Sequence, residues 1–126
     1  MSYHNDDWIK AITKLIELTS KEEVSWNLTE EYEEDVWTEV DRAYVATLKD
    51  FRYVVKSTRK KDYVDESEWY WTSGFSFEIY KRGHDLGFVR IASAPDLNIV
   101  SNLYSVVEDN FAYREGALKD LLGSGE

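Results

Sequence analysis

An alternating stretch near the middle of the chain constrains the fold more than any other feature. In residues 69–80, WYWTSGFSFEIY, the odd positions are apolar apart from one serine, whereas the even positions are polar residues, glycine or tyrosine. Such alternation is typical of a strand with one buried and one solvated face, and a sheet with one solvated face is usually antiparallel. We therefore expect Trp71, Phe75 and Phe77 in the core and Tyr70 and Tyr80 on the solvated face.

Helical spacing at the two ends of the chain completes the predicted fold. Apolar residues recur at helical intervals from Trp8 to Ile16 and from Val100 to Val107, as expected of amphipathic helices. We predict a single domain over residues 1–126 with an α+β fold, in which an antiparallel meander of about four to six strands has the N-terminal and C-terminal helices packed on one face. The further strands are expected at 24–28, 44–48, 51–55 and 88–92.

Two connections in the middle of the chain differ in kind. Lys49-Asp50 separates two alternating runs and predicts a tight hairpin turn. Ser57–Glu68 is highly charged, basic in its first part and acidic in its second, and we expect it to be a long connection. A loop of this length inside a compact domain is typically either functional or mobile.

Composition excludes several classes of function. The chain of 126 residues has 15 Lys and Arg against 25 Asp and Glu, a formal net charge of −10. This charge repels phosphate backbones and anionic membranes, so we expect no nucleic acid and no membrane partner, and it favours a protein partner with a basic surface. Cysteine is absent, which excludes disulfides and thiolate chemistry. Neither a secretory signal nor a long apolar run is present, so we expect a cytoplasmic location.

The residues that usually carry chemistry are sparse. His84 has Asp85 as its chain neighbour in a predicted turn, and adjacent turn residues seldom orient one another for general base catalysis. His4, Asp6 and Asp7 lie at the N-terminus, where helix capping by the acids is a simpler role than metal binding. No zinc, calcium, phosphate-loop or nucleophile-elbow motif is present. We predict a non-enzymatic protein with no catalytic residues, no metal site and no cofactor.

Acidic and aromatic residues carry the leading functional hypothesis. The run at 30–35 is too polar to be buried, and surface tryptophan and tyrosine are common anchors of protein interfaces. We expect a protein-interaction module of a kind suited to an inhibitor, immunity or anti-defence role, and the tyrosine-bearing face also leaves open a homodimer. The predicted partner-binding residues are Glu30, Glu31, Glu33, Glu34, Asp35, Trp37, Tyr70 and Tyr80.

Two other functions are compatible with the sequence. A sheet under helices can hold an aromatic-lined pocket between the two layers, and a small molecule bound there would contact Trp69, Tyr70 and Arg90. Carboxylates spaced like phosphates would instead mimic a nucleic acid, although lysines intermixed with acids on the first helix weaken this reading.

The C-terminal helix carries a resemblance. Residues 98–107, NIVSNLYSVV, place Leu103-Tyr104 and Val107 in the spacing Leu-x-x-Leu-Tyr-x-x-Val, with Val100 at the first leucine position and Ile99 just before it. This helix and the order of elements resemble small uncharacterised bacterial and phage proteins with an opening amphipathic helix and an antiparallel meander. The resemblance implies an α+β arrangement, and it implies no activity and no site residues.

Overall fold

A computed structural model of the chain describes residues 1–85 and 87–123, and in it two helices flank a five-stranded sheet. This order confirms the predicted α+β class. No helix in the described part is long and apolar enough to cross a membrane. The elements are α1 (Asn5–Ser20), β1 (Asn27–Leu28), β2 (Thr38–Leu48), β3 (Phe51–Tyr63), β4 (Trp69–Arg82), β5 (Phe88–Ser93) and α2 (Asn98–Arg114).

The strands form an antiparallel meander in the order β1-β2-β3-β4-β5. Each strand therefore pairs with its neighbour in sequence, which short connections permit in antiparallel sheets. The turn between β2 and β3 lies at Lys49 and Asp50, as predicted, and Lys49 adopts a φ of 57° there. That conformation is unfavourable for a residue with a Cβ, so the strand pairing on both sides must hold it.

The charged stretch after Ser57 is strand, which corrects the prediction of a long connection at Ser57–Glu68. β3 continues to Tyr63 and β4 begins at Trp69, so the connection comprises only residues 64–68. Pairing is continuous along both strands. Charged residues are compatible with this part of the sheet because many of its side chains on both faces are exposed and keep their contact with water.

Both helices pack on one face of the sheet, which we call the helix face. Phe77 of β4 lies at its centre, where its ring stacks parallel to that of Tyr53 at 6.2 Å and meets Trp8 of α1 edge-on at 6.3 Å. The amphipathic stripes predicted for both helices are confirmed by this packing. The main core consists of Ile12, Leu15, Val24, Trp26, Tyr44, Ala46, Val55, Phe77, Val100, Leu103, Tyr104 and Val107.

A buried tryptophan fixes the chain between α1 and β1. Trp26 Nε1 donates to Thr19 Oγ1 at 2.9 Å, and Thr19 Oγ1 donates to the Leu15 carbonyl at 2.7 Å. The guanidinium of Arg114 donates to the Trp26 carbonyl and to Asn27 Oδ1. The polar atom of the buried indole is thereby satisfied, and the end of α2 is tied to the start of the sheet.

Candidate functional site

The far end of the β3–β4 hairpin carries exposed aromatic side chains. Tyr70 is 57% exposed, and Trp71 and Phe75, which the alternation places in the core, are 38% and 39% exposed. The core prediction is wrong for these two because the packing of α2 reaches only as far as Phe75, whose ring lies 5.1 Å from that of Tyr104. We call the exposed apolar residues here the hairpin end: Val36, Trp37, Tyr63, Val64, Trp69, Tyr70 and Trp71.

A tight turn brings two of these residues to the hairpin from the preceding segment. Asp35 Oδ1 accepts a hydrogen bond from the Trp37 N–H at 2.7 Å, and the Asp35 carbonyl accepts from the Thr38 N–H at 3.2 Å. Val36 and Trp37 are the central residues of this turn, and Trp37 is 74% exposed. Thr38 pairs with Lys60 of β3, so the turn lies at the same end of the sheet as the aromatic residues.

Basic side chains of β3 stack on the indoles of β4. The guanidinium of Arg59 lies 4.4 Å from the ring centroid of Trp71, and Lys61 Nζ lies 4.3 Å from that of Trp69. Arg59 also pairs with the carboxylate of Glu39 on β2 at 3.0 Å. The cross-strand stacking holds the indoles in place, and the ion pair with Glu39 balances the charge of Arg59.

The acidic segment, residues 30–35, crosses in front of the other face of the sheet, the open face, and its carboxylates are exposed as predicted. Glu31 pairs with Arg52 at 3.1 Å, and Glu33 pairs with Arg90 at 2.8 Å. Within the described part of the chain, the carboxylates of Glu30, Glu34 and Asp35 have no basic group within 4.0 Å. Uncompensated negative charge therefore lies directly before Trp37.

Tyr80 is buried, so the prediction that it lies on a solvated face is wrong. It is 5% exposed, because the acidic segment passes over it. Its hydroxyl accepts from the Glu33 N–H at 2.9 Å and donates to Glu78 Oε1 at 3.0 Å. Burial raises the pKa of Tyr80 to about 12, with the Glu78 and Glu33 carboxylates adding to the shift and the Glu33 N–H opposing it. Tyr80 thus ties the acidic segment to the sheet.

A polar pocket, the open-face pocket, lies beneath the acidic segment and has a volume of about 600 Å³. At its base Lys56 Nζ lies 3.0 Å from Glu78 Oε1, and both side chains are buried. Arg90 donates to Glu78 Oε2 at 3.1 Å, and Lys56 donates to the Glu33 carbonyl at 3.3 Å. The lining residues are Glu33, Glu34, Asp35, Thr38, Val40, Lys56, Thr58, Ser76, Glu78, Arg90 and Ser93.

The buried pair of Lys56 and Glu78 is the feature that the sequence reading missed. Each has two uncharged residues on either side of it in its strand, and the two have opposite charge. The strand register brings the two charged residues close together, since Lys56 pairs with Ser76 and Val54 pairs with Glu78. The two charged side chains are therefore diagonal neighbours on one face, a relation that only a known register reveals.

The three residues proposed as liners of a small-molecule pocket do not come together. Trp69 and Tyr70 are adjacent in β4, so their side chains leave opposite faces of the strand. Arg90 pairs with Tyr80, ten residues beyond Tyr70, which corresponds to roughly 33 Å along an extended strand. Of the three, only Arg90 lines the open-face pocket.

Both histidines lie at exposed positions. His84 and Asp85 are exposed in the turn between β4 and β5. Asp7 accepts the His4 N–H at 2.8 Å, so a capping role for this acid is confirmed. No group of three or more His, Asp or Glu residues in positions 1–85 and 87–123 is arranged to hold a metal ion.

Comparisons with known proteins identify no relative, since no family model, no curated protein and no solved structure matches the chain. The functional evidence therefore lies in the geometry of the hairpin end, the acidic segment and the open-face pocket.

Proposed function

We propose that this protein is a non-enzymatic protein-interaction module that binds a protein with a basic surface through the hairpin end and the acidic segment. The observation that carries the proposal is the clustering of exposed apolar residues at one end of the sheet, beside carboxylates without a basic partner. These residues lie on both faces of the sheet at this end, and exposed apolar residues gathered in one region of a soluble protein often mark an interaction site. Binding of this kind suits an inhibitor, an immunity protein or an anti-defence protein.

The aromatic residues of the hairpin end are held in a way that favours binding. The rings of Trp69 and Trp71 meet edge-on, with centroids 5.4 Å apart and an angle of 83° between their planes. Arg59 and Lys61 stack on the same rings. Side chains ordered before binding lose less conformational entropy when a partner covers them, and tryptophan and tyrosine dominate the binding energy of many interfaces.

The charge around the hairpin end supports a basic partner. The net charge of the chain is −10, and Arg59 is already paired with Glu39 and Asp41 at 3.0 and 3.7 Å. The acids at 30, 34 and 35 have no such partner among the described residues, so they are available for pairing across an interface. Such complementarity increases association rates most at low ionic strength.

The test is capture of a protein partner by the immobilised chain and by the double variant Trp37→Ala/Tyr70→Ala. We expect the variant to weaken binding by at least tenfold, because truncating an interface anchor typically costs about 2 kcal/mol. Its melting temperature should stay within about 2 °C of the wild type, because both side chains are largely exposed.

The matched control is Tyr113→Ala/Leu121→Ala, which removes two apolar side chains that are 80% and 84% exposed elsewhere on the surface. This control should capture the partner as the wild type does. Capture should also fall as salt concentration rises. Equal capture by both double variants, or a captured partner whose binding surface is acidic, would refute the proposed function.

One observation favours a small-molecule binder as the second candidate. An apolar pocket of about 280 Å³ lies between α1 and the sheet, and four of its lining residues are the aromatic Tyr3, Trp8, Phe51 and Tyr53. A ligand there would be small, apolar and stacked against Trp8. Quenching of tryptophan fluorescence that saturates with a small aromatic compound, and that Trp8→Phe abolishes, would favour this candidate.

A further inference from the structure

The charges that line the open-face pocket do not balance. Its two basic residues are already occupied, since Lys56 lies 3.0 Å from Glu78, and Arg90 lies 3.1 Å from Glu78 and 2.8 Å from Glu33. Glu34 and Asp35 line the same pocket, and no basic group in the described part of the chain lies within 4.0 Å of them. An anion entering the pocket would meet two paired cations and these two carboxylates without a basic partner, so the lining favours a cation.

Hydroxyl groups complete a lining that suits a polar ligand. Thr38, Thr58, Ser76 and Ser93 surround the pocket, and Val40 is its one apolar lining residue among those described. The hydroxyl of Ser76 is buried and has no hydrogen-bond partner among the described residues. Most ligand pockets are predominantly apolar, so this composition argues against an apolar ligand and for one that donates several hydrogen bonds.

We propose that the open-face pocket binds the guanidinium group of an arginine side chain that the protein partner presents. The inference rests on the proposed function, because it assigns a contact to the same basic partner. A guanidinium has five donors in a planar fork, matches carboxylates in bidentate geometry and loses its hydration more easily than an ammonium group. A volume of about 600 Å³ accommodates an arginine side chain.

The position of the pocket connects it with the hairpin end. Asp35 and Thr38 line the pocket and also flank the turn that exposes Val36 and Trp37. A partner segment that covers Trp37 therefore passes the mouth of the pocket. An arginine on that segment reaches the carboxylates of Glu34 and Asp35 first and the buried pair of Lys56 and Glu78 behind them.

The experiment titrates the full chain with N-acetyl-arginine amide and follows backbone amide resonances by NMR. Saturable binding with a Kd on the order of 1 mM is expected for a single charged side chain. The affected resonances should include those of Thr38, Thr58, Ser76 and Ser93. N-acetyl-citrulline amide has nearly the same shape without the charge, and it should not bind at the same concentrations.

A pair of matched double variants tests the carboxylates. Glu34→Gln/Asp35→Asn should weaken binding of N-acetyl-arginine amide by about tenfold, and the asparagine retains an oxygen for the Trp37 N–H. Glu22→Gln/Glu23→Gln removes the same charge from exposed residues between α1 and β1 and should bind as the wild type does. No saturable shift with the arginine probe, equal shifts with the citrulline probe, equal binding by both variants, or binding of inorganic phosphate in the pocket would overturn the inference.

The two proposals fail in different ways. If the arginine probe binds in the pocket while partner capture is unchanged in Trp37→Ala/Tyr70→Ala, the pocket assignment stands and the proposed function falls. If capture depends on Trp37 and Tyr70 while Glu34→Gln/Asp35→Asn captures the partner as the wild type does and the probe does not bind, the function stands and the arginine assignment falls.

Discussion

The two halves of β4 have the same alternating pattern and opposite surroundings. In the second half, Phe77 on the helix face and Tyr80 on the open face are 1% and 5% exposed. In the first half, Trp71 on the helix face and Tyr70 on the open face are 38% and 57% exposed. The strand is continuous between them, so local sequence alone does not distinguish the halves.

The difference comes from what covers each half. On the helix face the second half is covered by α1 and α2, and on the open face it is covered by the acidic segment. The first half extends beyond the helices and beyond the acidic segment. Alternation in a sequence therefore specifies which side chains share a face, and the lengths of the neighbouring elements decide whether that face is covered. Aromatic residues stabilise the fold in one half and are available for binding in the other.

The largest expected effect is the contrast between Phe77→Ala and Trp71→Ala. The first should lower the free energy of unfolding by about 3–5 kcal/mol, because it leaves a cavity between Tyr53 and Trp8. The second should cost only about 1–2 kcal/mol, because the half-exposed Trp71 loses its stacking with Arg59 and its edge-on contact with Trp69. Urea unfolding measures the stability of both variants. Similar losses of unfolding free energy would show that the two halves of β4 are equally buried.

The second prediction concerns the polar interior of the open face. Glu78→Gln should lower the free energy of unfolding by about 3 kcal/mol, because it leaves the buried ammonium group of Lys56 without a carboxylate partner. Lys56→Met should cost less, about 2 kcal/mol, because Glu78 keeps its ion pair with Arg90 and its hydrogen bond from Tyr80. The double variant should cost clearly less than the two single costs combined. A double-mutant cycle by urea unfolding measures the coupling, and strictly additive costs would mean that the acidic segment does not shield this pair from water.

The fold was predictable because its signals are local and mutually consistent. Helical stripes at both ends, alternation in the strands and the Lys49-Asp50 turn are each specified by residues close together in sequence. The prediction of a connection at Ser57–Glu68 is wrong because high charge density does not distinguish a loop from a strand whose side chains are exposed.

The candidate site was predictable only in part, because burial there depends on contacts distant in sequence. Exposure of the acidic segment, Trp37 and Tyr70 followed from composition and alternation. Burial of Tyr80 requires the hydrogen bond from the Glu33 N–H, 47 residues earlier in the chain. The pairing of Lys56 with Glu78 requires the register of two strands, which no local pattern in either strand specifies.

The smallest expected effect is a difference in alkaline stability between Tyr80→Phe and Tyr70→Phe. The pKa of Tyr80 is raised to about 12 in the folded chain from an ordinary value of 10, so the neutral phenol is favoured by folding. The raised pKa therefore contributes to the free energy of unfolding. This stabilisation is fully present below pH 10, is lost as the pH rises through 12, and amounts to at most roughly 2.5 kcal/mol. Tyr80→Phe lacks the ionisable group and should flatten this part of the pH profile. Some slope should remain, because burial also raises the pKa of Tyr53 and Tyr104.

Tyr70→Phe is the matched control, since it removes a phenol from the same strand at a position that is exposed on the same face. Its stability between pH 9 and pH 12, measured by urea unfolding at each pH, should follow the wild type. If both variants change the slope equally, alkaline unfolding is a response to overall negative charge, and the hydroxyl of Tyr80 does not hold the acidic segment. If only Tyr80→Phe changes the slope, the two tyrosines differ in alkaline stability because the acidic segment covers Tyr80 and leaves Tyr70 exposed.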